Sequence, residues 1–297
     1  MSHPLAGADH ITWLHRGGRP ARWGNFGLWV PGQTRDYAGA CRALAHAVGE
    51  AAGMRAGDSV LSLACGAGEE LTLWAESFGA ANLMGLEQAP ALAAQARQRA
   101  EAAHASCEIE VHCADARRIA QLIGGRFDRI VCVDALYHLG PRAPLLRAAR
   151  TRLFPGGAFA FTDLVLDRRG GAAWRQAALR LGAGLTGIDA AEVRSPEDGV
   201  ALLREAGFDD AQVTRLDEAV LDGFCAFAER QARRIGLAGR LSAGWRRVAV
   251  TAALVRAARG AGLGYALYSG RVNAAPEDDA DPPDAWKATA PEETLAP

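Results

Sequence analysis

The chain has 297 residues, 49% of them hydrophobic and 23% charged, with a formal net charge of -1. That balance belongs to a globular protein with chain enough for one large core or two modest ones, and it lacks the basic excess of a nucleic-acid footprint. The six cysteines, Cys41, Cys65, Cys107, Cys113, Cys132 and Cys225, form no C-x-x-C pair and no histidine cluster has zinc spacing, so no metal is expected and the thiols read as reduced, mostly buried groups of a cytoplasmic protein.

The N-terminus has no apolar core of a secretory signal, because His3, His10, His15, Arg16 and Arg19 interrupt it. Residues 1–56 read as a helical cap. Between Trp13 and Tyr37 they carry Trp23, Asn25, Phe26 and Trp29. Aromatic residues so dense outside a sheet either cover a pocket or staple a helix to the core. From residue 57 the pattern becomes regular. SVLSLA (59–64) reads as a buried strand, 69–78 as a helix, NLMGLE (82–87) as a second strand, and Pro90 opens a long helix at the position a first-turn proline favours. CEIEVHC (107–113) and FDRIVCVDA (127–135) are the third and fourth strands, 141–153 is helical, and GAFAFTDLVL (157–166) is the fifth strand after the turn Pro155-Gly156-Gly157. Strands alternating with helices predict an α/β fold, a Rossmann-like doubly wound parallel sheet covered on both faces.

The pattern then loosens. A helical insertion is predicted over about 171–195, a helix begins near the N-cap Ser195, AQVTRLDEAV (211–220) resembles a sixth strand, a helical excursion covers 221–260, and GYALYSGRV (264–272) is a last strand. The apolar stretch from Val248 to Tyr268 is broken by Arg256 and Arg259, so it reads as an amphipathic helix and a strand, with a solvated basic face rather than a membrane span. Residues 273–297, rich in Pro, Asp, Glu and Ala, have the composition of a disordered acidic tail, in which Trp286 alone offers an apolar anchor.

The sharpest local signal is Ala64-Cys65-Gly66-Ala67-Gly68-Glu69-Glu70, directly after the first strand. Small residues at a helix N-terminus let a ligand approach backbone amides. Glu87 ends the second strand about twenty residues later, as a ribose-binding carboxylate does. A dinucleotide fingerprint needs a third glycine where this chain has Leu71, and two glutamates at the helix start oppose a pyrophosphate. A cationic sulfonium nucleoside, which has no phosphate, suits this loop better.

On these residues the stretch from Gly57 to about Val165 resembles the class I S-adenosylmethionine-dependent methyltransferases, small-molecule type. VLSLACGAG stands for the family's V-L-D-L-G-C-G-x-G; Glu87 for its strand-two acid; Ala114-Asp115-Ala116 for its acidic turn; Val133 to His138 for the end of strand four; and Leu153-Phe154-Pro155-Gly156-Gly157 for the turn before strand five. Asn25 to Trp29 resembles the segment preceding the core in sterol, tocopherol and polyketide-modifying members. The resemblance implies seven strands with the last antiparallel, S-adenosylmethionine as cofactor, and methyl transfer to a small molecule. It places Ala64, Cys65, Gly66, Gly68, Glu87, Gln88, Asp115, Ala116 and Asp134 at the cofactor. The aromatic segment makes Trp23, Asn25, Phe26 and Trp29 candidate substrate contacts, and their place at the carboxyl edge of the sheet does the same for Tyr137 and Asp163.

His138, just beyond strand four, is the candidate general base, since an imidazole's ordinary pKa of about 6.5 suits proton abstraction near neutral pH. Each of these residues also has a plainer reading: Glu87 as a solvated strand end, Asp115 as an N-cap, His138 as packing, and Asp163 as a strand terminus. The chain departs from the family twice, with Ser62 for the strand-one acid and Ala64 for the first glycine. Serine can still hydrogen-bond, and alanine adds only a methyl if its φ is not positive. A methyltransferase-like binding protein or partner subunit, and more distantly a nicotinamide-dependent oxidoreductase, remain alternatives. The methyl acceptor and the oligomeric state are not fixed by the sequence.

Overall fold

The computed structural model describes residues 22–34, 36–103, 107–166 and 188–273. Helix α1 (Tyr37–Ala51) precedes β1 (Ser59–Leu63), α2 (Glu69–Phe78), β2 (Asn82–Glu87), α3 (Pro90–Ala102), β3 (Glu108–Cys113), β4 (Phe127–Cys132), α4 (Arg142–Thr151) and β5 (Leu153–Leu166). Then follow α5 (Pro196–Glu205), β6 (Asp209–Arg215), α6 (Gly223–Arg234), α7 (Ala243–Gly260) and β7 (Leu263–Arg271). The strands form one seven-stranded sheet in the order β3-β2-β1-β4-β5-β7-β6. All neighbours are parallel except β7, which runs antiparallel to both β5 and β6.

The burial pattern explains the topology. Every residue of β1 is buried, as a central strand covered on both faces requires, whereas β6 at the edge is largely exposed. Successive side chains enter opposite cores: Val60 joins a cluster with α1, α2, α6 and α7, and Leu61 joins one with α4 and α5. The strand order reverses between β1 and β4. Chain segments leaving their carboxyl ends diverge there and open the crevice in which doubly wound folds bind ligands.

Several boundaries differ from the sequence expectation. The fourth strand stops at Cys132 because Asp134 takes a left-handed φ of +54°. The sixth strand ends at Arg215, and Glu218–Asp222 is helical. Asp217 terminates the strand by accepting the Tyr265 N–H at 2.6 Å and pairing with Arg215. The excursion over 221–260 is three helices, α6, Leu237–Leu241 and α7. On α7 the buried stripe is Trp245, Val248, Ala252 and Val255, while Arg256 and Arg259 pair with Glu229 and Asp222. Among the described residues no helix is long and apolar enough to cross a membrane. Of the expected helical cap, α1 is helical, and residues 22–34 form an irregular strap instead. Most of the insertion expected at 171–195, and the tail from 274 onward, lie outside the described residues.

Candidate functional site

A cavity of about 240 Å³ opens at the switch point between β1 and β4. Its floor is the loop Ala64–Ala67, one wall is Glu87, Gln88, Ala89 and Leu92, and the other is Val133, Asp134, Ala135 and His138. Arg22 to Asn25 of the strap close over it.

The loop is built by backbone geometry. Gly66 and Gly68 have φ of +56° and +79°, and a Cβ at Gly68 would lie 2.9 Å from the Cβ of Ala96. Gly68 thus lets α2 start against α3. Ala64 has φ +61°, so the condition under which an alanine there would add only a methyl is not met. An alanine held there stores roughly 1–2 kcal/mol of strain, so the loop keeps its shape although the residue that would adopt it freely is absent. The Glu87 carboxylate fixes the turn from the other side, accepting the Gly66 N–H at 2.9 Å and the Ala89 N–H at 2.8 Å. Glu87 is buried and lines the cavity, so its remaining lone pairs are available to a hydroxyl donor.

The two glutamates that open α2 have different surroundings. Glu69 accepts from Arg99 at 2.5 Å and from the Arg22 N–H at 2.6 Å. Glu70 is buried at the cavity wall and accepts the Ser62 hydroxyl at 2.5 Å. Burial, reinforced by the neighbouring charge of Glu87 and opposed by the Ser62 hydrogen bond, raises its carboxyl to about 8.

Asp134 ties the strap to the sheet. One carboxylate oxygen accepts the Phe26 N–H at 2.6 Å. The other accepts the hydroxyls of Tyr137 at 2.8 Å and Tyr265 at 2.6 Å. Its own N–H donates to Thr162, which Tyr265 also reaches. Burial and then the Asp134 charge push both phenols well above their ordinary range, so they act as neutral donors. Tyr37 donates to the Asn25 carbonyl, and Asn25 accepts the Gly27 N–H with its side chain.

Of the residues singled out in the sequence, the cavity gathers Trp23, Asn25, Ala64, Cys65, Gly66, Glu87, Gln88, Ala116, Asp134 and His138. The others lie elsewhere. Gly68 supports the loop from behind. Asp115 caps the turn at Ala116–Arg118 and pairs with Arg117. Phe26 packs edge-on against Phe224, and Trp29 stacks on Phe227 at 4.7 Å, so these two staple the strap to α6. Tyr137 is buried beneath the cavity on Asp134. Asp163 forms a two-pronged ion pair with Arg142, at 3.0 and 2.9 Å, beside a second, much smaller cavity. Sequence reasoning missed Glu70 as a cavity residue, although the paired glutamates were visible. It also missed Tyr265 and Thr162, whose contacts join positions far apart in the chain and leave no local pattern.

Fold, crevice and loop together define a Rossmann-like α/β domain whose switch-point cavity is lined by a glycine-containing loop and by Glu87 at the end of β2. Residues 60–157 match the family described as methyltransferase domain, and the motifs of this core are similar to those of the class I S-adenosylmethionine-dependent methyltransferases. The erythromycin 3''-O-methyltransferase of Saccharopolyspora erythraea is 30% identical over 203 residues, covering 67% of this chain and 65% of that protein. A ubiquinone biosynthesis O-methyltransferase of Acinetobacter baylyi is 29% identical over 119 residues, 39% of this chain and 48% of the relative. The alignments therefore span about half to two thirds of these relatives. Among solved structures, the [4+2]-cyclase SpnF superposes with a TM-score of 0.67 at 22% identity, over 92% of this chain and 97% of that one. The cyclopropane synthase MmaA2 of Mycobacterium tuberculosis gives 0.71 at 15% identity, over 91% and 95%. At these identities the two structures establish the fold alone.

Proposed function

We propose that the protein transfers a methyl group from S-adenosylmethionine to a hydroxyl of a small molecule. The observation that carries this reading is the cavity itself: loop amides, the Glu87 carboxylate and the buried Glu70 converge on one space and make it receptive to a cationic nucleoside and hostile to a phosphate. The donor set fits the cofactor. Glu87 would hold the ribose hydroxyls, Gly66 and its neighbours the amino-acid end, and Leu92 and Ala116 the flat base.

When bound, the cofactor supplies an electrophilic methyl group on a sulfonium. The chain's own contribution is mainly positional. Asp134, through Phe26, holds the strap over the cavity, so that an acceptor confined beneath it reacts without searching; such confinement is worth up to roughly 7–11 kcal/mol. His138, in the turn Leu136–His138 at the cavity wall, takes the proton that a hydroxyl acceptor sheds as it attacks. The names of the two relatives, both O-methyltransferases, support an oxygen acceptor.

The test is calorimetric titration with S-adenosylhomocysteine and, separately, NAD. The first should bind and stabilise the fold by about 2.7 kcal/mol at a hundredfold excess over its Kd, and Glu87→Ala should abolish most of that gain. In methyl-transfer assays across acceptors bearing sugar or phenol hydroxyls, His138→Gln should lower turnover at least ~10-fold with cofactor affinity kept. Binding of NAD in place of the homocysteine nucleoside would overturn the reading. Full turnover in His138→Gln would remove the base and leave positioning alone.

A further inference from the structure

The two glutamates at the start of α2 are adjacent in sequence and opposite in circumstance. Glu69 is neutralised by Arg99 of α3. Glu70 is buried at the cavity wall, and among the described residues the influences on its ionisation are burial, the Ser62 hydroxyl and the like charge of Glu87, none of them cationic. The groups facing it from the surrounding elements do not change that balance. Ser62 on β1 is a neutral hydroxyl. Cys65 in the loop and Cys132 on β4 have thiols that burial holds protonated, with Glu70 itself the next contribution. On β2 stands Glu87, and beyond β4 stands Asp134, whose two oxygens are engaged by Phe26, Tyr137 and Tyr265. Arg22, which also lines the cavity, is exposed and donates its backbone N–H to Glu69, so among the described residues this buried carboxylic acid, held by a hydroxyl and facing other acids, has no counter-charge beside it. A buried ion without a partner is costly and is either protonated or matched by its ligand.

Ser62 on β1 is fully buried and stands where the family's strand-one acid would be, in contact with Glu70, which lines the cavity. The hydrogen bond from Ser62 to Glu70 at 2.5 Å shows that the helix carboxyl reaches back to this position. Resting on the cofactor reading above, we infer that Glu70 binds the α-ammonium of the cofactor's amino-acid moiety in place of a strand-one acid, and that it gives up its own proton as the ammonium arrives. The proton balance is simple. The neutral carboxyl plus the ammonium become a carboxylate–ammonium pair, and one proton leaves to the buffer. No covalent bond between heavy atoms is made or broken. Because burial raises this carboxyl to about 8 in the ligand-free protein, release accompanies binding below that pH and fades as the pH rises through it.

The experiment is isothermal titration of S-adenosylhomocysteine and of 5′-methylthioadenosine, which shares the thioether nucleoside but has no amino acid. Titrations are run at pH 7 in phosphate and in Tris, whose ionisation enthalpies differ. The expected result for the unaltered protein is release of close to one proton per S-adenosylhomocysteine bound and none for 5′-methylthioadenosine. In Glu70→Gln the release should disappear, and affinity for S-adenosylhomocysteine should fall ~10-fold or more, as for loss of a charge-assisted hydrogen bond. Affinity for 5′-methylthioadenosine should be unchanged. Ser62→Asp added to Glu70→Gln should restore both affinity and proton release, because a carboxyl buried at that position meets the same lack of a cation. Zero proton release in the unaltered protein overturns the inference whether or not any variant folds. So does a loss of less than twofold in a cooperatively folded Glu70→Gln. Binding of 5′-methylthioadenosine with those failures leaves the cofactor reading intact, whereas failure of both ligands to bind removes that reading and this inference together.

Discussion

Replacing Asp134 by asparagine tests whether one carboxylate holds the strap to the sheet. Three donors converge on it: the Phe26 amide and the Tyr137 and Tyr265 hydroxyls. All are buried, with Asp134 itself 1% exposed. An asparagine has one acceptor oxygen and brings two N–H donors into a site already filled with donors. At least one charge-assisted bond is lost, at roughly 1.5–3 kcal/mol, and at least one buried amide proton faces a donor, at roughly 1–3 kcal/mol. The expected destabilisation is therefore about 2.5–6 kcal/mol, which at ~2 °C per kcal/mol for a domain of this size lowers Tm by roughly 5–12 °C. Calorimetry or circular dichroism measures that shift, and hydrogen exchange supplies the local readout: the Phe26 amide should lose protection more than amides of β1. Tyr265→Phe should be far less harmful in the Asp134→Asn background than alone, because the two changes remove one shared interaction. A Tm within ~1 °C of the unaltered protein, with Phe26 still protected, would refute the idea that Asp134 anchors the strap.

Two further outcomes follow from buried charges. Glu70 has its carboxyl raised from its ordinary value to about 8, so the folded state keeps a proton that the unfolded chain releases near 4.3. Stability of the ligand-free protein should then fall as pH rises from about 4.3 to 8, with a slope of up to ~1.4 kcal/mol per pH unit from this group, and level off above 8. Urea unfolding of Glu70→Gln at pH 5.5 and 8 should show that slope removed; curves parallel to the parent's would contradict it. Arg142→Met should cost about 3–5 kcal/mol, since it strands the Asp163 carboxylate in the core, and adding Asp163→Asn should recover much of the loss. S-adenosylhomocysteine affinity should be unchanged in both variants, because the pair lies off the cofactor cavity; a parallel loss of affinity would mean the two cavities communicate.

The sheet was legible because its strands are short apolar runs with their own turn signals. VLSL, NLMGLE and FDRIVC are each buried almost throughout, and that burial is what their composition expresses. Boundaries were legible only where a local device sets them. Ser195 caps α5 through the Asp198 N–H, as its sequence announces. The ends of β4 and β6 were not readable, because they are set by a left-handed Asp134 and by the bond from Tyr265 to Asp217, both consequences of tertiary contacts. The same division runs through the site. Glu87 and the loop are local to one strand–turn–helix–strand unit and could be named in advance. The Asp134 network joins residues 26, 134, 137, 162 and 265, and no window of sequence contains it.

The aromatic strap shows why residue type alone misdirects. Trp23, Asn25, Phe26 and Trp29 share one short segment, and density of aromatics there fits a pocket cover and a packing staple equally well. The structure divides the labour by position. Trp23 and Asn25 line the cavity. Phe26 and Trp29 turn toward Phe224 and Phe227, and Gly27, with φ +76° and no room for a Cβ beside Ala40, makes the bend between them. The staple is what allows the cover: a strap of irregular backbone stays over a cavity only if its far side is buried and its polar groups are matched. A Gly27→Ala variant therefore probes the coupling between them. The added methyl would meet the Ala40 Cβ at 2.7 Å, so either the strap or α1 must move. If the strap moves, Phe26 lifts from Asp134, amide exchange at Phe26 speeds up, and S-adenosylhomocysteine binds more weakly although no residue touching it has changed. If α1 moves instead, Phe26 stays protected and binding is preserved while Tm falls. The first result would show that cofactor binding depends on the staple, and the second would rule that dependence out.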